Sequence, residues 1–163
     1  MQCQELKMKL IICTDTRFGY SFNQRRQSSD RAVHQHMAGQ LLKAETPVTM
    51  NYYTTRSLFR NQEFIPAAFF EDLLCSSEED DAPSDFLVTA ARDHIFAFVE
   101  NVSLMGYYHL IDEILLYIWD KRYPADLMFP ASLLSAFQLT EEETFPGHSH
   151  EEIIFRHYVK RTE

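Results

Sequence analysis

The residues best suited to chemistry lie in one short stretch, RFGYSFNQRRQSSDR, which spans residues 17–31. It combines several arginines with one carboxylate, Asp30, in a chain whose formal net charge is -9. Arg25 and Arg26 follow Asn23 closely, and guanidinium and amide groups together form a donor array that suits a carboxylate or a phosphate. The pattern predicts a site for a small anion.

An alternative is that these arginines pair with the chain's own acids and hold the loop in place. The two hypotheses differ in what they predict for Arg25→Ala and Arg26→Ala. At an anion site, either substitution abolishes ligand binding and leaves the melting temperature nearly unchanged. In a structural cluster, either substitution lowers the stability and no ligand is involved.

Asp30 also has two interpretations, and one residue can serve both. It precedes an amphipathic helical pattern, so it is a candidate N-cap or first-turn acid that interacts favourably with the helix dipole. If the chain is an enzyme, Asp30 is the candidate catalytic acid. Otherwise we expect it to hold a ligand beside the two arginines.

Two short motifs contain closely spaced histidines of the kind that can bind a metal ion. HQH contains His34 and His36, and GHSHEE contains His148 and His150. A zinc site needs three or four convergent ligands, and neither motif supplies an evident third. We therefore predict no metal site and expect surface or edge histidines.

Composition limits the classes of protein to be considered. A chain of 163 residues with 45% hydrophobic and 24% charged residues is typical of one globular domain, here residues 1–163. The net charge of -9 argues against a nucleic-acid partner, which would require a cationic surface. Three cysteines without paired spacing, and no apolar run of membrane length or secretory signal, favour a cytoplasmic protein with no membrane partner.

The elements that must position these residues follow from the apolar patterns. In the first part of the chain, strand patterns alternate with helix patterns, and in the last part strand patterns follow one another without helices. This order predicts an α/β sheet that is parallel first and antiparallel at its end. The acidic stretch within residues 61–85 has no periodicity and is predicted to be a solvated loop, and residues 121–130 are predicted to be a Pro-bounded loop. Strands are predicted at 9–15, 46–50, 94–102, 113–119, 135–143 and 151–161, and helices at 28–44, 53–61 and 84–93.

The order of these pieces resembles dihydrofolate reductase. LIICTD, Gly19 and Asp30 match that family's first strand, loop glycine and helix-heading acid. PVTMNYYTTRS (47–57) resembles its PV-I-M-G-R-x-T-x-x-S element, and YPADLMFP resembles its G-D-x-x-F-P, with Asp126 at the Asp. The resemblance implies a three-layer dihydrofolate reductase-like fold, with a central mostly parallel sheet, antiparallel C-terminal strands and helices on both faces.

Departures from that family's pattern fall on its cofactor site. Glu100 and Asn101 stand where the family has Gly-Gly, and a carboxylate there would meet a dinucleotide's phosphates. Asn51 and Tyr52 replace the Gly-Arg of the second element. These differences argue against NADPH, and we expect no cofactor. Glu100 and Asn101 are otherwise expected to cap the turn after their strand.

The sequence therefore predicts a binding module without reductase activity, and it leaves a homodimer open. Its ligand, small and anionic or zwitterionic, would contact Asn23, Arg25, Arg26, Asp30, Thr54, Glu100 and Asn101. Thr54 is expected to be a helix cap first and a ligand contact second. One alternative is an oxidoreductase of the same fold with altered cofactor use. Another is an RNA-processing nuclease, because FNQRRQSSD followed by YPAD resembles short bacterial proteins labelled ribonuclease Z.

Overall fold

The computed structural model describes residues 5–60, 74–75 and 85–162. The helices of this part are α1 (Arg31–Ala44), α2 (Tyr52–Arg60) and α3 (Asp85–Asp93), with 3-10 turns at Tyr108–Leu110 and Ala131–Ala136. Its strands are β1 (Met8–Thr14), β2 (Gly19–Phe22), β3 (Arg25–Arg26), β4 (Val48–Met50), β5 (Leu74–Cys75), β6 (Phe96–Val99), β7 (Ile111–Ile118), β8 (Leu127–Met128), β9 (Phe137–Phe145) and β10 (Ile153–Lys160).

Seven of these strands form one sheet in the order β5-β4-β6-β1-β7-β10-β9. The pairs from β5 to β7 are parallel. β10 runs antiparallel to both β7 and β9. The prediction of a sheet that is parallel first and antiparallel at its end is confirmed. A smaller antiparallel sheet, β3-β2-β8, lies outside it.

Strand β1 forms the centre of the sheet because its apolar side chains suit both faces. Leu10 and Ile12 belong to the hydrophobic cluster on one face, and Ile11, between them, belongs to the cluster on the other. All three are fully buried. A continuous β-branched and apolar run is what a strand covered on both sides requires.

Helices cover the two faces and complete three layers. Val33, Met37 and Leu41 recur every four residues along α1 and pack in the same cluster as Ile11, as their spacing predicts. Leu58 places α2 on that face as well. On the opposite face, α3 buries a short apolar stripe in the cluster that contains Leu10; it consists of Phe86, Leu87, Ala90 and Ala91.

Two segments predicted to be loops contain strands. Residues 19–26 form a β-hairpin, here called the arginine hairpin, in which β2 and β3 are joined through Asn23 and Gln24. Both turn residues have positive φ, 52° and 63°, as a two-residue hairpin turn of the primed type requires. The loop at 121–130 contributes β8, which pairs with β2. The prediction of plain loops was wrong at both places.

The acidic loop predicted within 61–85 lies outside the described residues, apart from β5 and the first residue of α3. None of the described helices is long and apolar enough to cross a membrane.

Candidate functional site

Arg26 of the arginine hairpin forms a two-pronged ion pair with Glu100, which directly follows β6. Arg26 Nε donates to Glu100 Oε2 and Arg26 Nη2 to Glu100 Oε1, each over 2.9 Å. Thr54 Oγ1 donates to the same Oε1 over 2.8 Å. Burial alone would lower the pKa of Arg26, but the Glu100 carboxylate raises it, so the guanidinium stays charged. The positive charge of Arg26 is therefore balanced by Glu100 within the protein.

Neighbouring amides extend this network. Asn51 Nδ2 donates to Asn101 Oδ1 over 2.9 Å, and Asn101 Nδ2 donates to the backbone carbonyl of Gln24 over 3.0 Å. The Asn101 side chain therefore bonds the backbone of the arginine hairpin, rather than the turn after its own strand that it was expected to cap. Asn51 Oδ1 accepts from the backbone N–H of Thr54 at the start of α2. Asn51 thus caps α2, and the expectation that Thr54 is the cap was wrong.

A surface cleft of about 560 Å³ lies against the outer side of the arginine hairpin. Within the described part of the chain, the Arg25 guanidinium on its wall makes no hydrogen bond or ion pair, and Arg25 is exposed. The cleft is lined by Phe22, Asn23, Arg25, Arg26, Gln27, Tyr123 and Pro124.

The predicted ligand residues divide between different places. The cleft gathers Asn23, Arg25 and Arg26. Arg26 and Glu100 also line a second cavity of about 10 Å³, together with Ser28. The remaining three predicted residues, Asp30, Thr54 and Asn101, line neither cavity.

Asp30 is the N-cap of α1, as predicted, and its carboxylate is saturated with donors. Oδ1 accepts from the backbone N–H groups of Ala32 and His148, each over 2.8 Å. Oδ2 accepts from the backbone N–H groups of Ser149, over 2.9 Å, and His150, over 3.1 Å. Burial alone would raise the pKa of Asp30, but these donors hold it well below its usual range. Asp30 is therefore an ionised acceptor, which does not favour a role as proton donor.

The histidine loop, residues 147–150, can close over Asp30 because it begins with glycine. A Cβ atom on Gly147 would lie 2.7 Å from Asp30 Oδ2 and 2.7 Å from the carbonyl oxygen of His150. Both distances are shorter than side chains tolerate, so Gly147 permits the close approach. His150 and His34 are each 6% exposed, so the expectation of surface or edge histidines was wrong for both residues.

The His150 ring connects Asp30 to two hydroxyl groups. His150 Nδ1 lies 2.9 Å from Asp30 Oδ2, and Nε2 lies 3.0 Å from both Ser28 Oγ and Tyr123 Oη. The ring stacks on Trp119, with 4.5 Å between centroids and 19° between planes. This packing fixes the ring plane. Sequence patterns provided little indication of this network, because Ser28 and Tyr123 belong to no motif associated with catalysis or binding.

Comparison with known proteins shows the fold. No family model and no curated protein matches the sequence. A solved dihydrofolate reductase from Enterococcus faecalis, complexed with NADP(H) and RAB-propyl, is similar in structure, with a TM-score of 0.58 and 10% sequence identity. The similarity covers 96% of this chain and 97% of that one. The chain has a dihydrofolate reductase-like fold.

Within this dihydrofolate reductase-like fold, His36 makes local contacts. His36 Nδ1 lies 2.8 Å from Tyr117 Oη, and His36 Nε2 lies 3.0 Å from a carboxylate oxygen of Glu143. Over residues 5–60, 74–75 and 85–162, no three His, Cys, Asp or Glu side chains converge as metal ligands would.

Proposed function

We propose that this dihydrofolate reductase-like protein binds a small anionic or zwitterionic ligand and does not act as an NADPH-dependent reductase. The observation that carries the proposal is the Arg25 guanidinium, which lines the 560 Å³ cleft with no ion pair among the described residues. Clefts of this volume are the usual size for small-molecule sites.

The chemistry of the cleft suits an anion with an apolar part. Arg25 supplies a planar cationic fork that can bind a carboxylate or phosphate through two parallel hydrogen bonds. Asn23 adds an amide group on the same wall. Phe22, 41% exposed, and Tyr123 supply apolar surface against which a ligand's carbon atoms can pack.

Arg25 rather than Arg26 is expected to bind the ligand. Arg26 already gives its Nε and Nη2 donors to Glu100, whose carboxylate balances its charge. A ligand anion therefore gains less attraction from Arg26 than from Arg25, which has no ion pair among the described residues.

The residues at the end of β6 do not fit a dinucleotide. Ligands of open α/β sheets bind outside the carboxyl ends of the strands, and Glu100 stands there with its side chain only 9% exposed. A diphosphate needs bare backbone and N–H donors, whereas this position presents a carboxylate that Arg26 and Thr54 hold in place. This disagreement supports a function without NADPH.

Isothermal titration with glutamate, succinate and inorganic phosphate tests the proposal. We expect saturable binding of at least one of these probes, weakened at least about tenfold by Arg25→Gln, since a charge-assisted hydrogen bond contributes roughly 1.5–3 kcal/mol. Arg17→Gln is the matched control, because Arg17 is exposed on the same stretch and does not line the cleft.

Two results would contradict the proposal. Equal weakening by Arg17→Gln would show that the anion is attracted by general charge rather than bound at Arg25. Saturable binding of NADPH in a nicotinamide fluorescence titration would favour the oxidoreductase alternative instead.

A further inference from the structure

We propose that Ser28, His150 and Asp30 form an acyl-transfer site, in which Ser28 is the nucleophile, His150 the general base and Asp30 the residue that orients it. The proposal rests on two contacts in series, Ser28 Oγ to His150 Nε2 at 3.0 Å and His150 Nδ1 to Asp30 Oδ2 at 2.9 Å. It goes beyond ligand binding in the cleft and does not depend on Arg25.

Asp30 determines which nitrogen of His150 carries the proton. An ionised carboxylate can only accept hydrogen bonds, so Nδ1 must be the donor in the contact with Oδ2. In the neutral ring, Nε2 is then the free acceptor, and it faces a hydroxyl group within hydrogen-bond distance. This is the tautomer that a general base beside a serine requires.

The burial of the pair favours the same role. The side chains of His150 and Asp30 are 2% and 0% exposed, so bulk water barely screens the attraction between them. When Nε2 takes a proton, the resulting imidazolium lies against the Asp30 carboxylate and is stabilised by it. Stacking on Trp119 prevents the ring from turning away.

With an ester substrate, each atom of the step is accounted for. Ser28 Oγ forms a bond to the carbonyl carbon while its proton moves to His150 Nε2. The bond to the leaving alkoxy oxygen then breaks, and that oxygen takes the proton from Nε2 and departs as an alcohol. A water molecule then attacks the acyl carbon while Nε2 takes its proton. The bond between Ser28 Oγ and that carbon breaks, Oγ takes the proton back from Nε2, and the acid leaves.

The surroundings of Ser28 provide access and room for that water. Ser28 is partly exposed, so a reagent can reach it from solvent. The adjoining cavity of about 10 Å³ is close to the volume of a single water site, and Gln27 lines it together with Ser28. Gln27 Oε1 is buried without a hydrogen-bond partner among the described residues, so it can accept a hydrogen bond from a water placed there.

Tyr123 competes with Ser28 for the same nitrogen. Tyr123 Oη lies 3.0 Å from His150 Nε2, and one lone pair cannot accept fully from two hydroxyl groups. Removing the phenol oxygen should therefore strengthen the contact between Ser28 and His150. This gives the proposal a variant that is expected to gain reactivity.

Covalent labelling with a fluorophosphonate tests the proposal directly. Attack by Ser28 Oγ forms an O–P bond and expels fluoride, and peptide mass spectrometry locates the adduct. We expect one adduct on Ser28. Ser28→Ala should abolish it, and His150→Asn should slow it at least about 100-fold, since positioned general-base catalysis contributes roughly 10²–10⁴-fold. Ser29→Ala is the matched control and should label at the wild-type rate, and Tyr123→Phe should label faster.

Other outcomes would overturn the proposal. They are the absence of an adduct on the wild-type protein, an adduct on another residue that persists in Ser28→Ala, or loss of labelling in Tyr123→Phe. His150→Asn keeps a side-chain donor for Asp30, and its melting temperature shows whether it folds. If it does not fold, Ser28→Ala still decides, because Ser28 is partly exposed. Failure of anion binding at Arg25 would leave the labelling result unaffected, so the two proposals fail separately.

Discussion

Asp30 and His150 are 120 positions apart in sequence, and their side chains meet at 2.9 Å with almost no exposure to solvent. The contact joins the start of α1 to the loop between the last two strands of the sheet. It therefore links the first helix of the domain to its final hairpin.

Asp30→Asn should destabilise the protein strongly. The amide keeps the shape of the side chain but removes the charge that four backbone N–H groups and the His150 ring point towards. We expect the free energy of unfolding in urea to fall by about 3 kcal/mol, the usual effect of breaking a buried charged network. Asp120→Asn is the control, because exposed Asp120 accepts from two backbone N–H groups and should cost less than about 1 kcal/mol.

The stabilising effect of Asp30 should decrease as the solution is made acidic. Its pKa is depressed in the folded protein, so its contribution is complete above the unfolded value of about 3.9 and is lost as the pH falls below it. The difference in unfolding free energy between wild type and Asp30→Asn should shrink as the pH falls from 5 towards 3. A difference that grows over this range would contradict the assignment of Asp30 as an ionised acceptor.

The two adjacent arginines should respond differently to alanine. Arg26→Ala leaves the Glu100 carboxylate buried without its cation, which should cost about 3 kcal/mol and lower the melting temperature. Arg25→Ala should change stability by no more than about 0.5 kcal/mol, because Arg25 is exposed. Equal melting temperatures for the two variants, measured by circular dichroism, would show that the ion pair is not structural.

Gly147 and Gly39 form a matched pair for alanine substitution. A Cβ on Gly147 would lie 2.9 Å from Ile153 Cδ1 as well as against Asp30, so Gly147→Ala should lower the unfolding free energy by about 1–3 kcal/mol. Gly39 lies on α1 with nothing within 4 Å of such a Cβ, so Gly39→Ala should raise it by up to about 1 kcal/mol. A reversal of these signs would show that the histidine loop does not pack as described.

Local sequence patterns predicted the central sheet and α1 well. Helix α1 was recognisable because Asp30 caps it and Val33, Met37 and Leu41 repeat at helical spacing. The arginine hairpin was not, because its turn is Asn-Gln rather than the Asn-Gly that usually reveals such turns. Its second strand is only two residues long and has no alternating pattern.

The candidate site was predictable only in part. Arg25, Arg26 and Asn23 are neighbours in sequence, and their donor chemistry is visible there. Whether an arginine is paired depends on a partner such as Glu100, 74 positions away, which no local pattern reports. The burial of His150 was unpredictable for the same reason, since it depends on two loops that meet above Trp119.

The strand at the end of the sheet order, β9, has a consequence for behaviour at high concentration. Its sequence FQLTEEETF places three consecutive glutamates on an edge where backbone groups of another molecule could add. Like charges meeting there at neutral pH would oppose such stacking, which is a common protection of sheet edges. Replacing these three glutamates with glutamine should therefore make concentrated solutions prone to β-aggregation.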